Sequence, residues 1–581
     1  MLFNIKKFAG FAFCSLVVII AQAQPALNFN SVVTREPEVS SSPYKPEPGS
    51  VLNHTQVMFE YPEVAKAVNY KLVVIELAYL TGKPDTIRKV VVTQNDATTA
   101  TLVKGLKFSR TYEWYYKATD AAGKEIFRSP KKRFSTIYSP YAEKTMNRVT
   151  IRKTYENAQG LVSMDYLHAI TDRAGNVVWV VPNIPNTISE SHLIRDIRVS
   201  PQGTVTFLSQ QNVFEMSVDG KIRWKGTEIE KPGTENYHHD FRRLPSGNYM
   251  VLGNETRTGR NPVTNDTATV RYGTITEYGY FGKPVWSWSS KSYFTDQDFF
   301  SARDEEGKAG AGLHLNAFSV DASGEFIYAG FRNMNCILKI EKKTGTVVAD
   351  YRGGFWHQHD ANVLPDGSIA IFNNDSILDP TVCSSAMILK PADDQKAPPV
   401  VTWKFECKNI AGSDGKSAKM GSVELLPNGN YLINTGNIAS VVEVAKNKTI
   451  LWEARPEFWI EEKKQWVPGK QYRAHFASSL YPCYFTAQVR LSADNKNIIA
   501  VAFNEGSEAD SYRVIIQDKS RKMPPRELVT TGVTAGGKKA EQTIAIAESG
   551  LAPGEYEIKL VSVTNPDFYR IIPVTLPKTA N

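Results

Sequence analysis

The sequence predicts an all-β protein: a six-bladed β-propeller flanked by an N-terminal β-sandwich and a small C-terminal β domain. Three observations carry this. Between about residues 145 and 485 a unit of apolar strand, Pro or Asp, small residue, Gly and second strand recurs at Ser200-Pro-Gln-Gly203, Leu244-Pro-Ser-Gly247, Val320-Asp-Ala-Ser-Gly324, Leu364-Pro-Asp-Gly367 and Leu426-Pro-Asn-Gly429. A second hairpin lies between these and usually ends in tryptophan: Asp172-Arg-Ala-Gly175 with Trp179, Asp219-Gly220 with Trp224, Gly282 with Trp286, Lys343-Thr-Gly345 without one, then the segments ending at Trp403 and Trp452. Two hairpins make four short strands, the pattern of a propeller blade. On either side the alternation changes to that of a sandwich.

The elements follow in order. Residues 1–23 carry Lys6-Lys7, an apolar run from Phe11 to Ile20 and Ala21-Gln22-Ala23, the charge, length and small-residue site of a secretory signal peptide. The run is shorter than the roughly 18 apolar residues a membrane span requires, so the expectation is a periplasmic or secreted protein without stable membrane insertion. Residues 24–44 read as a Ser-, Pro- and Glu-rich linker. In 45–140, Tyr112, Trp114, Tyr116 and Ala118 fall on one strand face and Glu113, Lys117 and Thr119 on the other, a fibronectin type III-like pattern. Residues 145–485 hold the propeller. Its five inner and six outer hairpins match if Tyr166 to Val180 is completed by inner strands from Tyr472-Arg473-Ala-His475 to Phe485, a blade shared between the two ends. The surplus between Gly247 and Gly324, roughly Ser290 to Gly312, reads as a loop over one mouth. Residues 486–581, with the alternating Tyr556-Glu-Ile558-Lys-Leu560, form the C-terminal domain.

Length and composition allow an ordinary globular core. The net charge of +8 is spread along 581 residues with no basic cluster, so nucleic acid is not an expected partner. Cys336, Cys383, Cys407 and Cys483 remain after processing, enough for one or two disulfides in an oxidising compartment, with Cys383 and Cys407 nearest in sequence. No Cys-x-x-Cys pair is present.

Chemistry concentrates on histidine. Eight residues before each turn glycine stand Arg195, His239, His359 and Gly421, and His314 stands ten before Gly324. Inner strands of a propeller face one channel, so Arg195, His239, His314 and His359 are expected to converge. A lone strand histidine is usually a buried hydrogen-bonding residue, and Asp240 and Asp360 could merely cap turns. Three imidazoles at matching positions point to nucleophilic or acid–base work. His238 and His357 are expected to point into the blades, and His54, His168 and His192 lie outside the pattern.

Over roughly residues 45 to 485 the chain resembles the bacterial arylsulfate sulfotransferase family, through Tyr237-His-His239-Asp-Phe-Arg-Arg-Leu-Pro-Ser-Gly247-Asn, His314-Leu-Asn316, Phe331-Arg332, Gln358-His359-Asp360 and Tyr472-Arg473-Ala-His475. The resemblance implies a six-bladed propeller with an N-terminal β-sandwich and transfer of a sulfuryl group from an aryl sulfate donor to a phenolic acceptor without a nucleotide. It also implies His359 as the nucleophile that forms a sulfohistidine, with His239, His314, Asn316 and Arg332 around it. The interval from Arg332 to His359 is short for the family, and the C-terminal domain is an addition.

The chemistry can be reasoned apart from the resemblance. A neutral His359 can attack sulfur and split the transfer into two steps. Arg332 and Asn316 can hold the sulfuryl oxygens, and His239 or His314 can exchange a proton with the phenol. Arg195 is a further substrate-binding candidate. Trp356 and Phe355 could form an apolar slot, or simply pack a blade. No cofactor and no metal are expected. Two other readings fit the same residues: a metal-dependent hydrolase or lyase using the histidine cluster, and a non-catalytic binding propeller. The residues leave open monomer or homodimer, and the natural donor and acceptor.

Overall fold

The computed structural model describes residues 42–79, 86–142, 146–189, 191–210, 212–226, 237–376, 378–392 and 397–577. The expected signal peptide and the linker as far as residue 41 lie outside them. The described chain is all-β and propeller-like, and none of its described helices is long and apolar enough to cross a membrane.

Six four-stranded antiparallel units succeed one another, and their inner strands are the ones that matter for chemistry. The second sheet runs from inner strand Ile194–Val199, the third from His238–Arg243, the fourth from Leu315–Val320, the fifth from His359–Val363 and the sixth from Ser422–Leu425. The first consists of Leu161–Met164, Ala169–Asp172 and Val177–Val180, with Phe476–Ala477 pairing onto Leu161–Met164 as its innermost strand. Both ends of the region therefore share a sheet, but three strands come from one end and one from the other, where the sequence suggested two and two. The sixth sheet gains the extra strands Gln465–Pro468 and Asn147–Lys153.

Both repeated sequence features have mechanical causes. The turn glycines 203, 247, 324, 367 and 429 all sit at positive φ, between 74 and 85°, where a side chain would be strained. The tryptophans stitch five of the six sheets to the next: the indole N–H of Trp179 donates to Val218 O (2.9 Å), Trp224 to Tyr280 O (3.1 Å), Trp286 to Lys342 O (2.8 Å), Trp403 to Lys446 O (2.8 Å) and Trp452 of the sixth sheet to Arg173 O of the first (2.9 Å). A buried indole N–H needs an acceptor, and here it finds one on the following sheet. No single sheet closes on itself, but the succession of sheets returns to its start.

Two β regions flank this ring. The N-terminal one has a six-stranded sheet and the pair Val57–Glu60 with Ala100–Val103, sharing a core of Phe59, Leu72, Val74, Tyr112, Trp114, Tyr116, Ala118 and Phe134. The expected aromatic face is buried. Glu113 on the opposite face is buried too, because Arg88, Lys131 and Arg133 neutralise it. The C-terminal region has two sheets, of three and four strands, and its core takes in Met58 and Ala100. Arg570 pairs with Glu60 (2.8 Å) and Asp567 with Arg243 of the third sheet (3.2 Å), so the flanking regions brace each other and the ring.

The surplus between Gly247 and Gly324 divides in two. Part is a long hairpin, Tyr249–Arg260 with Thr267–Tyr278. The rest, 290–312, carries the short helix Asp296–Ser301 and packs on the fourth sheet through Phe294 and Phe299. The expected disulfides do not form: all four cysteines are free thiols. Cys336, Cys407 and Cys483 are each buried in a different core.

Candidate active site

The inner strands are bulged where the repeat carries its unusual residues. Register shifts fall between Arg195 and Arg198, His238 and Phe241, Leu315 and Ala317, and His359 and Asn362. Asp196, His239, His314 and Asp360 adopt φ of 57 to 61°, left-handed backbone that non-glycine residues seldom take. A bulge re-aims consecutive side chains, so one residue can face the neighbouring sheet while its partner faces the centre.

The residues aimed sideways form a belt. Asp196 accepts from Phe241 N (3.2 Å), Asp240 from Phe318 N (3.2 Å) and Asp360 from Val423 N (3.1 Å), while the Asn316 amide donates to Gln358 O (2.8 Å). Asp165 accepts from Arg473 N at 2.8 Å and Tyr472 N at 3.0 Å. At the middle stands the buried guanidinium of Arg473, 3.1 Å from Asp196, 3.0 Å from Asp240 and 3.4 Å from Asp360, also donating to Asn316 O at 2.9 Å. Burial works against the Asp196 carboxylate, but Arg198, Arg473 and His475 outweigh it and hold its pKa well below the usual range.

The imidazoles lie beside this belt. His239 and His314 meet edge to face with ring centroids 5.1 Å apart. His239 Nδ1 is 2.7 Å from His238 Nδ1, and His238 Nε2 is 3.1 Å from Gly253 O. Only an N–H can satisfy a carbonyl, so His238 is protonated at Nε2 and, while neutral, accepts at Nδ1. His239 then donates from Nδ1 and keeps the Nε2 lone pair. In the next sheet but one His359, 3% exposed, places Nδ1 2.6 Å from Asn374 Oδ1. The Asn374 amide donates to Ser417 O (2.8 Å) and Met420 O (2.9 Å), which fixes its oxygen as an acceptor and so puts the His359 proton on Nδ1. The Nε2 lone pair of His359 meets only a long 3.3 Å contact from Met420 N.

Electrostatics keep these rings neutral. Burial is the largest influence on all three; next come His238 for His239 and Arg332 for both His314 and His359. The result for His314 is a pKa of about 3, and those of His239 and His359 fall well below the ordinary value. Arg332, 3% exposed, donates from Nη1 to Asn333 Oδ1 (2.8 Å) and from Nη2 to Glu305 (2.6 Å), and its Nε has no hydrogen-bond partner. Among the described residues no three of His, Cys, Asp and Glu are grouped as a cation's ligands would be.

Residues 139–348 match the model of the arylsulfotransferase (ASST) family. Over this segment the chain is similar to the arylsulfotransferase family. The matched stretch contains Arg195, His239, His314, Asn316 and Arg332 and ends before His359. Solved structures similar to this chain include a protein of unknown function from Bacteroides caccae, 12% identical, covering 57% of this chain and 98% of its own, with a TM-score of 0.35. Another is a catalytically inactive variant of virginiamycin B lyase from Staphylococcus aureus with quinupristin, 8% identical, covering 61% and 95%, with a TM-score of 0.28. No curated relative matches the chain.

The residues singled out in the sequence separate into groups. His239, His314, His359 and Arg332 are brought together. Arg195 reaches the same centre, its guanidinium 5.6 Å from the Tyr472 ring, which His239 contacts at 5.9 Å. Asn316, wholly buried, donates from its amide to Gln358 O and tethers the strand leading to His359, while its Oδ1 has no hydrogen-bond partner. Trp356 is half exposed and Phe355 is buried in blade packing, so the two do not form one apolar slot. His238 and His357 do not simply point into the blades. The first relays to His239, and the second reaches Arg303 O (3.3 Å) on the 290–312 excursion.

Asn374 and the loop 417–421 escaped sequence reasoning because they follow or precede the strands on which the repeat was read. One signal existed. Gly421 stands at the position equivalent to His359, and a side chain there would strike the Phe372 ring, so that the backbone itself closes over the site.

Proposed function

We propose that the protein transfers a sulfuryl group from an aryl sulfate to a phenol in two steps on a six-bladed propeller, with His359 as the covalent nucleophile. One observation carries the reading: His359 is neutral, its proton is pinned on Nδ1 by Asn374, and Nε2 carries a lone pair beside Arg332. A fixed tautomer removes the need to reorganise at the moment of attack.

In the first step Nε2 attacks sulfur, an N–S bond forms, and the S–O bond to the departing phenolate breaks. Arg332 stabilises charge on the three sulfuryl oxygens. In the second step the acceptor oxygen attacks the same sulfur and the N–S bond breaks. His239 Nε2 receives the acceptor's proton, and the same nitrogen returns it to a phenolate in the next turnover, so protons balance over the cycle. Burial first, then His238 and His314 for His239 and Arg332 for His359, depress the imidazole pKa values, so His239 readily gives up to a phenolate the proton it takes from the acceptor. On this reading the enzyme works outside the cytoplasm, in keeping with the leader-like residues 1–23.

Steady-state transfer from 4-nitrophenyl sulfate to a phenol tests the proposal. Parallel double-reciprocal lines for donor and acceptor are expected. Intersecting lines, or no phenol release across a panel of aryl sulfates, would refute it.

A further inference from the structure

Glu305 sits at the tip of a tight turn in the 290–312 excursion. Gly307 N donates to Asp304 O (3.0 Å), Asp304 Oδ1 accepts from Glu306 N (3.0 Å) and Lys308 N (2.8 Å), and Arg303 Nη1 reaches Gly307 O (2.7 Å). The turn is docked over the site, because Arg303 O meets His357 and Asn333 Nδ2 donates to Gly312 O (2.8 Å). From there the Glu305 carboxylate places Oε2 on Arg332 Nη2 at 2.6 Å and Oε1 on Lys419 Nζ at 2.8 Å.

Both cations act on the imidazole cluster, each lowering the pKa of His314 after burial. Arg332 follows the second strand of the fourth sheet and exerts the strongest charge influence on both His314 and His359. Lys419 comes from the loop before the sixth sheet, adjoining Met420, whose N–H points at His359 Nε2. A carboxylate and a sulfate ester offer the same thing to such a pair: oxygen acceptors sharing one negative charge. With Glu305 in place a donor would bring a second anion against the same N–H groups, and like charges at that distance repel.

We propose that Arg332 and Lys419 together form the cradle for the donor's sulfuryl group, and that Glu305 occupies it until the donor displaces it. The claim deepens the transfer reading by adding Lys419 as a binding residue and Glu305 as a resident competitor that sets donor affinity. One anion replaces one anion, so the charge felt by the imidazoles is preserved through the exchange. The 302–312 turn must then move aside when donor binds.

Inorganic sulfate, titrated calorimetrically into the full-length protein, tests this without relying on turnover. Glu305→Gln keeps the shape and removes the charge, and sulfate is expected to bind about tenfold more tightly to it, with a comparable fall in the KM for 4-nitrophenyl sulfate. Glu305→Ala must move both in the same direction. Lys419→Gln is expected to weaken sulfate binding several-fold. Unchanged or weaker sulfate binding in both Glu305 variants would overturn the proposal, as would unchanged binding in Lys419→Gln. A wild-type protein that binds sulfate and transfers nothing would sink the transfer reading and leave the cradle standing. Active transfer with Glu305 variants indistinguishable from wild type would do the reverse.

Discussion

The belt of carboxylates and the cluster of imidazoles occupy adjacent positions of one repeat, yet their hydrogen bonding is opposite. Asp196 and Asp240 are saturated: each takes a backbone N–H from the next sheet and shares the Arg473 guanidinium. His239 and His359, each one residue before a belt aspartate, have one nitrogen fixed by a neighbour and the other left with a lone pair. The bulge separates the two tasks. The residue turned sideways joins the sheets, and the one turned inward stays available to a substrate.

This contrast should show most strongly in paired substitutions. Arg473→Met leaves Asp196, Asp240 and Asp360 buried without their shared cation and should destabilise by on the order of 3–5 kcal/mol, which denaturant titration would measure. His359→Ala should leave the melting temperature nearly unchanged while transfer falls below detection. The reverse pattern, an active Arg473→Met or an unfolded His359→Ala, would break the distinction.

A smaller effect tests the fixed tautomer. Asn374→Ala should lower the single-turnover rate by about 10- to 100-fold while the KM for donor changes little, as for other residues that orient a reactive imidazole. Asn374→Asp restores the acceptor at Nδ1 and should recover part of the rate. Equal damage from both variants would mean that Asn374 serves only the 417–421 loop.

Acid should separate the two groups again. Seven histidines, at positions 54, 168, 238, 239, 314, 357 and 359, have lowered pKa values with burial as the largest cause. Below about pH 6.5 the unfolded chain therefore binds protons that the folded one refuses, and stability falls as pH drops toward about 4. Asp165 and Glu505 act oppositely: burial raises both to about 7, so the folded state takes their protons first and gains stability between about pH 7 and 4. His475, raised by Asp196 and Glu424 against burial and Arg198, also favours the folded state in acid. Seven against three predicts a lower melting temperature at pH 5 than at pH 7.5, measurable by scanning calorimetry. A flat profile would mean that the imidazoles are not held neutral. The smallest expected effect is at the rim, where Trp356→Ala should change the KM for donor by no more than about threefold, since the ring is half exposed.

Much of this was readable in the chain because the repeat is mechanical. The turn glycines need positive φ, and the tryptophans must find a carbonyl on the next sheet, so both recur at fixed places. The histidines were legible for the same reason, being set against those turns. Asn374, Lys419 and Glu305 were not, because they come from loops whose lengths follow no period and reach the site only through tertiary folding. The cysteines misled because their number alone says nothing about the separate cores that bury them.

The most direct test is to incubate the protein with 4-nitrophenyl sulfate alone, without acceptor, and map the adduct by peptide mass spectrometry. The account predicts a burst of about one equivalent of 4-nitrophenol and one sulfuryl group on the peptide containing His359. No adduct under these conditions, or an adduct on His239 or His314 with His359 unmodified, would contradict it.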